Sequence, residues 1–148
     1  MQTAEIKVKK LNPLAKLPVY GTDYAAGADL CACIFAPVTI EPGETFMVKT
    51  GISIEIPEGY AGLIYARSGL SSKRGLAPAN KVGVIDSDYR GEIIVALYNQ
   101  SLTPQKIEPN ERIAQLIITP YIRGIFNETD ELSDTERGEG GFGSTGRK

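Results

Sequence analysis

With no histidine among its 148 residues, the chain lacks the usual near-neutral general base and the commonest metal ligand, so acid/base chemistry falls to carboxylates, Lys, Tyr or Cys. The densest group of such residues is Gly83-Val-Ile-Asp86-Ser-Asp88-Tyr89-Arg90-Gly91. A carboxylate at the base of a hairpin holds and deprotonates a water, and a Tyr beside it offers a flat ring against which a sugar rests. Asp in such a turn also caps backbone amides, and Tyr at a strand start also packs. Arg67-Ser68-Gly69 joins a planar fork, a hydroxyl and an unobstructed N–H, a set that suits an anion and equally a helix N-cap with a surface Arg. Gln115 in Arg112-Ile-Ala-Gln115-Leu116 is polar within an apolar strand, where the plain alternative is the solvent face of an alternating strand. Ala26-Gly-Ala-Asp29-Leu30 adds a further carboxylate. Near the end, Arg137-Gly-Glu-Gly-Gly-Phe142-Gly-Ser-Thr-Gly146 sets one aromatic among glycines and hydroxyls, the composition with which backbone amides wrap a phosphate; composition alone also fits a flexible, solvated tail.

The elements that position these groups must be short. Sixteen Gly and nine Pro interrupt the apolar stretches about every 5 to 12 residues, which suits strands of a sandwich or barrel and leaves no room for long helices. Alternation at Ile6 and Val8, and again at Ile52, Ile54 and Ile56, predicts strands, as does the β-branched run in residues 92–98. Pro42-Gly43, Pro57-Glu58-Gly59 and Pro109-Asn110 read as turns. One helical turn is expected over residues 68–74, bounded by Gly69 and Gly75. Residues 81–85 and 92–98 read as the arms of a β-hairpin around Asp86, with Asp86 and Asp88 facing one way. The expectation is therefore an all-β domain over residues 1–126 and a flexible Gly-rich arm over residues 127–148, with no internal repeat. A net charge of −2 with 23% charged residues excludes a polyanion-binding surface spread over the whole chain. Cys31 and Cys33 match neither a C-x-x-C redox pair nor a zinc knuckle and read as buried reduced thiols. The first ten residues contain no apolar core of a signal peptide, and no stretch approaches the ~20 apolar residues of a membrane span. An intracellular protein is expected, cytoplasmic or nuclear, or in the host cell if viral.

In this order and at these intervals, the five segments resemble the five motifs of the trimeric deoxyuridine triphosphate nucleotidohydrolases (dUTPases), over residues 26–146. The chain departs from the family's usual pattern at Ala66 and Val82, where Pro is usual or frequent. The resemblance implies a distorted jelly-roll-like β-barrel or sandwich of the β-clip kind, a homotrimer with shared active sites, and Mg²⁺-dependent hydrolysis of dUTP to dUMP and pyrophosphate, which lowers dUTP and supplies dUMP for thymidylate synthesis. No nucleic-acid or membrane partner is implied. By the same resemblance, Asp86 activates the attacking water and Tyr89 stacks under the deoxyribose. Asn80 and Gly83 belong to the part that reads the uracil. Arg67, Ser68, Gly69 and Gln115 handle the phosphates, joined from the arm by Arg137, Gly143, Ser144 and Thr145, while Phe142 covers the base. Asp29 reaches Mg²⁺ through water. The first, second and fourth motifs come from one subunit, the third from a second and the fifth from a third. The alternatives are a dCTP deaminase of the same fold, with or without triphosphate hydrolysis, and a noncatalytic nucleotide-binding relative.

Overall fold

The computed structural model describes residues 3–141. Alternation near the N-terminus becomes an antiparallel pair in which β1 (Lys7–Lys10) lies on β6 (Ile52–Glu55), with Val8 opposite Ile54. The largest sheet has the order β2 (Val19–Tyr20), β3 (Ala28–Cys31), β12 (Arg112–Pro120), β7 (Tyr60–Tyr65) and β9 (Gly83–Ile85). A second sheet runs β5 (Thr45–Lys49), β10 (Ile94–Asn99), β8 (Leu76–Pro78), and β4 (Val38–Ile40) pairs with β11 (Gln105–Ile107). Strands that are close in sequence are mostly not neighbours in space. This interleaved, nearly all-β arrangement agrees with the expected jelly-roll-like fold.

Side chains from these sheets meet in one core. Leu30, Val48, Ile52, Leu97, Ile107 and Ile113 are each buried to 1% exposure or less, and full burial of such a side chain is worth about 1.5–3 kcal/mol. Asn99 is buried among them without cost to its polar groups: its Nδ2 donates to the Ile40 and Thr103 carbonyls at 2.9 and 2.8 Å, and its Oδ1 accepts from Ser101. A buried amide satisfied in this way pins the β4–β11 layer to the end of β10.

The three expected turns form, each closed by a backbone hydrogen bond: Glu44 N–H to Glu41 O, Tyr60 N–H to Pro57 O, and Glu111 N–H to Glu108 O. The short helix also forms, as α1 (Ser68–Arg74), and Gly75 ends it in the left-handed conformation at φ 66°. A side chain at position 75 would be strained and would lie 3.0 Å from the Ser101 nitrogen.

Two expectations are corrected. The segments flanking Asp86 do not pair as a hairpin: β9 adds to the edge of β7, whereas β10 lies between β5 and β8 in the other sheet. Burial decides this, because Val95 and Leu97 of β10 belong to the core, so residues 86–93 cross between sheets. Cys31 and Cys33 are free, as expected, but half-buried rather than buried; partial burial still pushes both thiols up from their ordinary pKa.

Beyond Pro120 no further strand forms among the described residues, and residues 121–139 are all exposed. Ile122 and Phe126 are each 97% exposed.

Candidate active site

One end of the large sheet gathers the phosphate-type residues. β3 and β12 pair so that Asp29 lies opposite Gln115, and Gln115 lies opposite Tyr65 of β7. The chain leaving β7 therefore brings Arg67 alongside, and its Nε donates to Asp29 Oδ1 at 2.7 Å. From β12, Arg112 Nη1 donates to the other carboxylate oxygen at 3.2 Å. Gln115 is fixed beside them, its Nε2 donating to Ala66 O at 2.8 Å. Its amide lies over Gly27, where a Cβ would come within 2.5 Å of Oε1, so a side chain there would displace the amide. Ser68 and Gly69 follow Arg67 at the exposed start of α1, and the space above Gly69 is open. Arg67, Gly69, Lys73, Arg74, Glu111 and Arg112 border a shallow depression of about 370 Å³. A ring of cations around an unobstructed backbone can receive a polyphosphate.

Asn80 and Gly83, which the resemblance assigns to reading the base, stand together. Val82 N–H donates to Asn80 O at 2.7 Å around Lys81 at φ 64°, a tight γ-turn. A Cβ on Gly83 would lie 3.3 Å from Asn80 Nδ2. Val82 departs from a frequent proline for a visible reason, since a proline has no N–H to close this turn. At Ala66 only the carbonyl is used, and a proline would keep it.

Asp86 lies at the other end of β9, exposed, on an open depression of about 1000 Å³ that it shares with Ser87, Asp88, Arg90, Tyr121 and Arg123. The two clusters of one chain are far apart. Ile85 pairs with Gly62, whereas the Asp29 row meets β7 at Tyr65, and β9 and β3 are three strands apart. That places Ile85 about 14 Å across and about 10 Å along the sheet from Asp29, and Asp86 lies farther still. No single water or phosphate group spans that distance. Arg137 lies on the exposed arm, its Nε bonded to Gly140 O at 2.8 Å; Phe142, Gly143, Ser144 and Thr145 lie outside the described residues.

Comparison with known proteins finds matches over nearly the whole chain. The dUTPase family model matches residues 14–146. The chain belongs to the dUTPase family. Similar curated relatives are named deoxyuridine 5'-triphosphate nucleotidohydrolase: that of Paraburkholderia phymatum is 47% identical, covering 97% of this chain and 99% of the relative. That of Burkholderia cenocepacia is 52% identical, covering 88% and 89%. Among solved structures, the Staphylococcus bacteriophage 80alpha dUTPase with dUPNHPP superposes with a TM-score of 0.89 at 33% identity, covering 97% of this chain and 99% of that one.

Within this dUTPase-family fold, Tyr89 is held by a contact that spacing alone does not reveal. Its hydroxyl donates to Glu92 O at 3.0 Å, and its ring lies over Gly91, where a Cβ would be 2.3 Å from Oη and 2.5 Å from Cζ. Gly91→Ala is therefore expected to push the ring aside rather than unfold the protein, because the blocking atoms end a side chain that can rotate. The resemblance implies that Tyr89, stacked under the deoxyribose, leaves no room for a 2′-hydroxyl; on that basis the thermal midpoint should stay near that of the parent protein while the ratio of kcat/KM for dUTP over UTP falls, and an unchanged ratio would free Gly91 of this role. Arg112 is the residue whose role the sequence left unassigned, although it opens the segment that contains Gln115.

No group of three or more His, Cys, Asp or Glu side chains stands together among the described residues, and no helix there is long and apolar enough to cross a membrane. A carboxylate with both oxygens already on guanidinium groups suits contact with a metal's water better than direct coordination. Mg²⁺, which dehydrates reluctantly, fits such an outer-sphere place.

Proposed function

We propose that this chain hydrolyses dUTP to dUMP and pyrophosphate at a site assembled from more than one copy. The observation that carries this reading is the Arg67–Asp29–Gln115 cluster beside the open Ser68-Gly69 turn: a built receptor for a polyphosphate, in a family whose relatives are named for dUTP. Asp86 takes a proton from a water, and the oxygen of that water attacks the α-phosphorus. The bond from that phosphorus to the bridging oxygen breaks, and the electron pair leaves with pyrophosphate. Donors already in place where charge develops lower the barrier. Arg67, Ser68, Gly69 and Gln115 supply them from the body, and Arg137, Gly143, Ser144 and Thr145 from the arm. Tyr89 lies against the deoxyribose, Asn80 and Gly83 read the uracil edge, and Phe142 covers the base. Mg²⁺ would be held by Asp29 through water and by the phosphates, and supplies neutralisation of phosphate charge.

Two observations support assembly from several copies. The Asp86 and Asp29 clusters of one chain are too far apart to act on one phosphate. Apolar residues between the last strand and the arm, Ile122, Ile125 and Phe126, are exposed on their own chain, and covering them against another copy removes apolar surface from water. A homotrimer, the family's arrangement, closes such head-to-tail contacts.

Incubation with each deoxynucleoside triphosphate and Mg²⁺ tests the reading. Pyrophosphate is expected from dUTP alone. Ammonia released from dCTP would favour the deaminase alternative, and inert dUTP would contradict the proposal.

A further inference from the structure

Asp29 is gripped from both sides. Its side chain is only 15% exposed, between Arg67 at 28% and Arg112 at 58%. β12 aims Arg112 there by an irregularity: the register with β3 shifts between Arg112 and Ala114, and shifts of this kind re-aim a side chain. The charges decide what the arrangement does. Arg67 with Asp29 alone is a neutral pair, and its half-buried carboxylate would repel an incoming triphosphate. Arg112 on the second oxygen turns the group into a clamp of net charge +1. Arg67 reaches Asp29 through Nε, and its Nη1 makes only a 3.5 Å contact with the Arg112 carbonyl, so its terminal nitrogens remain available to a phosphate. Arg74, also on the rim, is spent on Glu111 and on the Lys106 carbonyl.

We propose that Arg112 is a positioning residue of the phosphate site: through Asp29 it sets the net charge of the clamp and presents the Arg67 fork to the triphosphate. This rests on the dUTP reading for its substrate and on geometry for its mechanism. The test compares the parent protein with Arg112→Gln, which can keep a hydrogen bond but not the charge, and Arg112→Lys, which keeps the charge. Steady-state kinetics with dUTP over a range of salt concentrations is combined with calorimetric binding of inorganic tripolyphosphate. Loss of a charge-assisted contact predicts KM for dUTP raised about tenfold or more in Arg112→Gln. Tripolyphosphate binding should weaken in parallel, the dependence of kcat/KM on salt should flatten, and Arg112→Lys should recover most of the loss. At 58% exposure neither substitution should disturb folding. Arg112→Gln with the parent's KM, tripolyphosphate affinity and salt dependence would overturn the proposal. So would equal losses in both variants with lowered thermal midpoints, which mark a structural role. Tripolyphosphate binding that depends on Arg112 in a protein that leaves dUTP intact would uphold the clamp and contradict the dUTP reading instead.

Discussion

Asp86→Asn is expected to leave a folded protein that binds dUTP and hydrolyses it about 10²- to 10⁴-fold more slowly, the range associated with losing a general base. Asn keeps the size and a hydrogen-bonding oxygen but cannot accept the proton of a water. Folding should be indifferent to the change. Asp86 is exposed, just beyond the end of β9 and outside the core, and surface substitutions of this kind usually shift stability by less than about 0.5 kcal/mol. The check is pyrophosphate release under single-turnover conditions, alongside a thermal melt and a binding isotherm with a nonhydrolysable analogue. Turnover within a few-fold of the parent would remove Asp86 from the role of base. So would a loss that tracked weakened binding, because the carboxylate would then be a substrate contact.

Ending the chain after Glu136 should be as damaging to turnover and nearly neutral to stability. The last strand closes at Pro120, residues 121–139 are exposed, and Arg137 is bonded only within its own turn. None of the described residues among those removed, 137–141, belongs to the core cluster. Truncation does remove Arg137, Phe142, Gly143, Ser144 and Thr145, the arm's proposed contribution to the bound nucleotide. Losing even one preorganised donor to a developing charge costs about 10²- to 10³-fold in kcat, so the truncated protein should fall at least that far. Ground-state binding should suffer less, because the proposed closure of the arm would exclude water and position donors mainly for the transition state. Adding the arm as a separate peptide should restore little, since tethering supplies its effective concentration. Full turnover by the truncated protein would return the arm to the role of a solvated tail.

Local features were legible in the sequence because their causes are local. A Pro-Glu-Gly turn carries its own conformational demand, Gly75 sits where a helix must end, and alternation at Ile52, Ile54 and Ile56 announces a strand with a buried face. Which strand pairs with which is not a local property. Turn residues around Asp86 suggested a hairpin, but the apolar run that follows was drawn into a different sheet, where Val95 and Leu97 are buried. The site shows the same division. Resemblance brought forward Arg67, Asp29 and Gln115 as separate motifs, while the contacts that join them span 38 positions from Asp29 to Arg67 and 83 from Asp29 to Arg112. No spacing rule encodes such contacts. Nothing in the sequence sets Gly27 and Gly91 apart; only the packed structure shows that Gln115 and Tyr89 lie over them. Val82 looked like a departure, and its meaning emerged from the single amide that closes the turn at Asn80.

Whether Asp86 of one copy works with the Arg67 cluster of another is tested directly by a mixing experiment. Asp86→Asn and Arg67→Ala are each expected to be inactive as pure proteins. Unfolded together in equal amounts and refolded, they should form mixed assemblies in which some sites draw Asp86 from the Arg67→Ala chain and Arg67 from the Asp86→Asn chain. Random assembly of a ring with shared sites makes about a quarter of the sites intact, so about a quarter of the parent activity should return. If both clusters had to come from one chain, every chain in the mixture would be defective, and a mixture as inactive as its components would contradict the account.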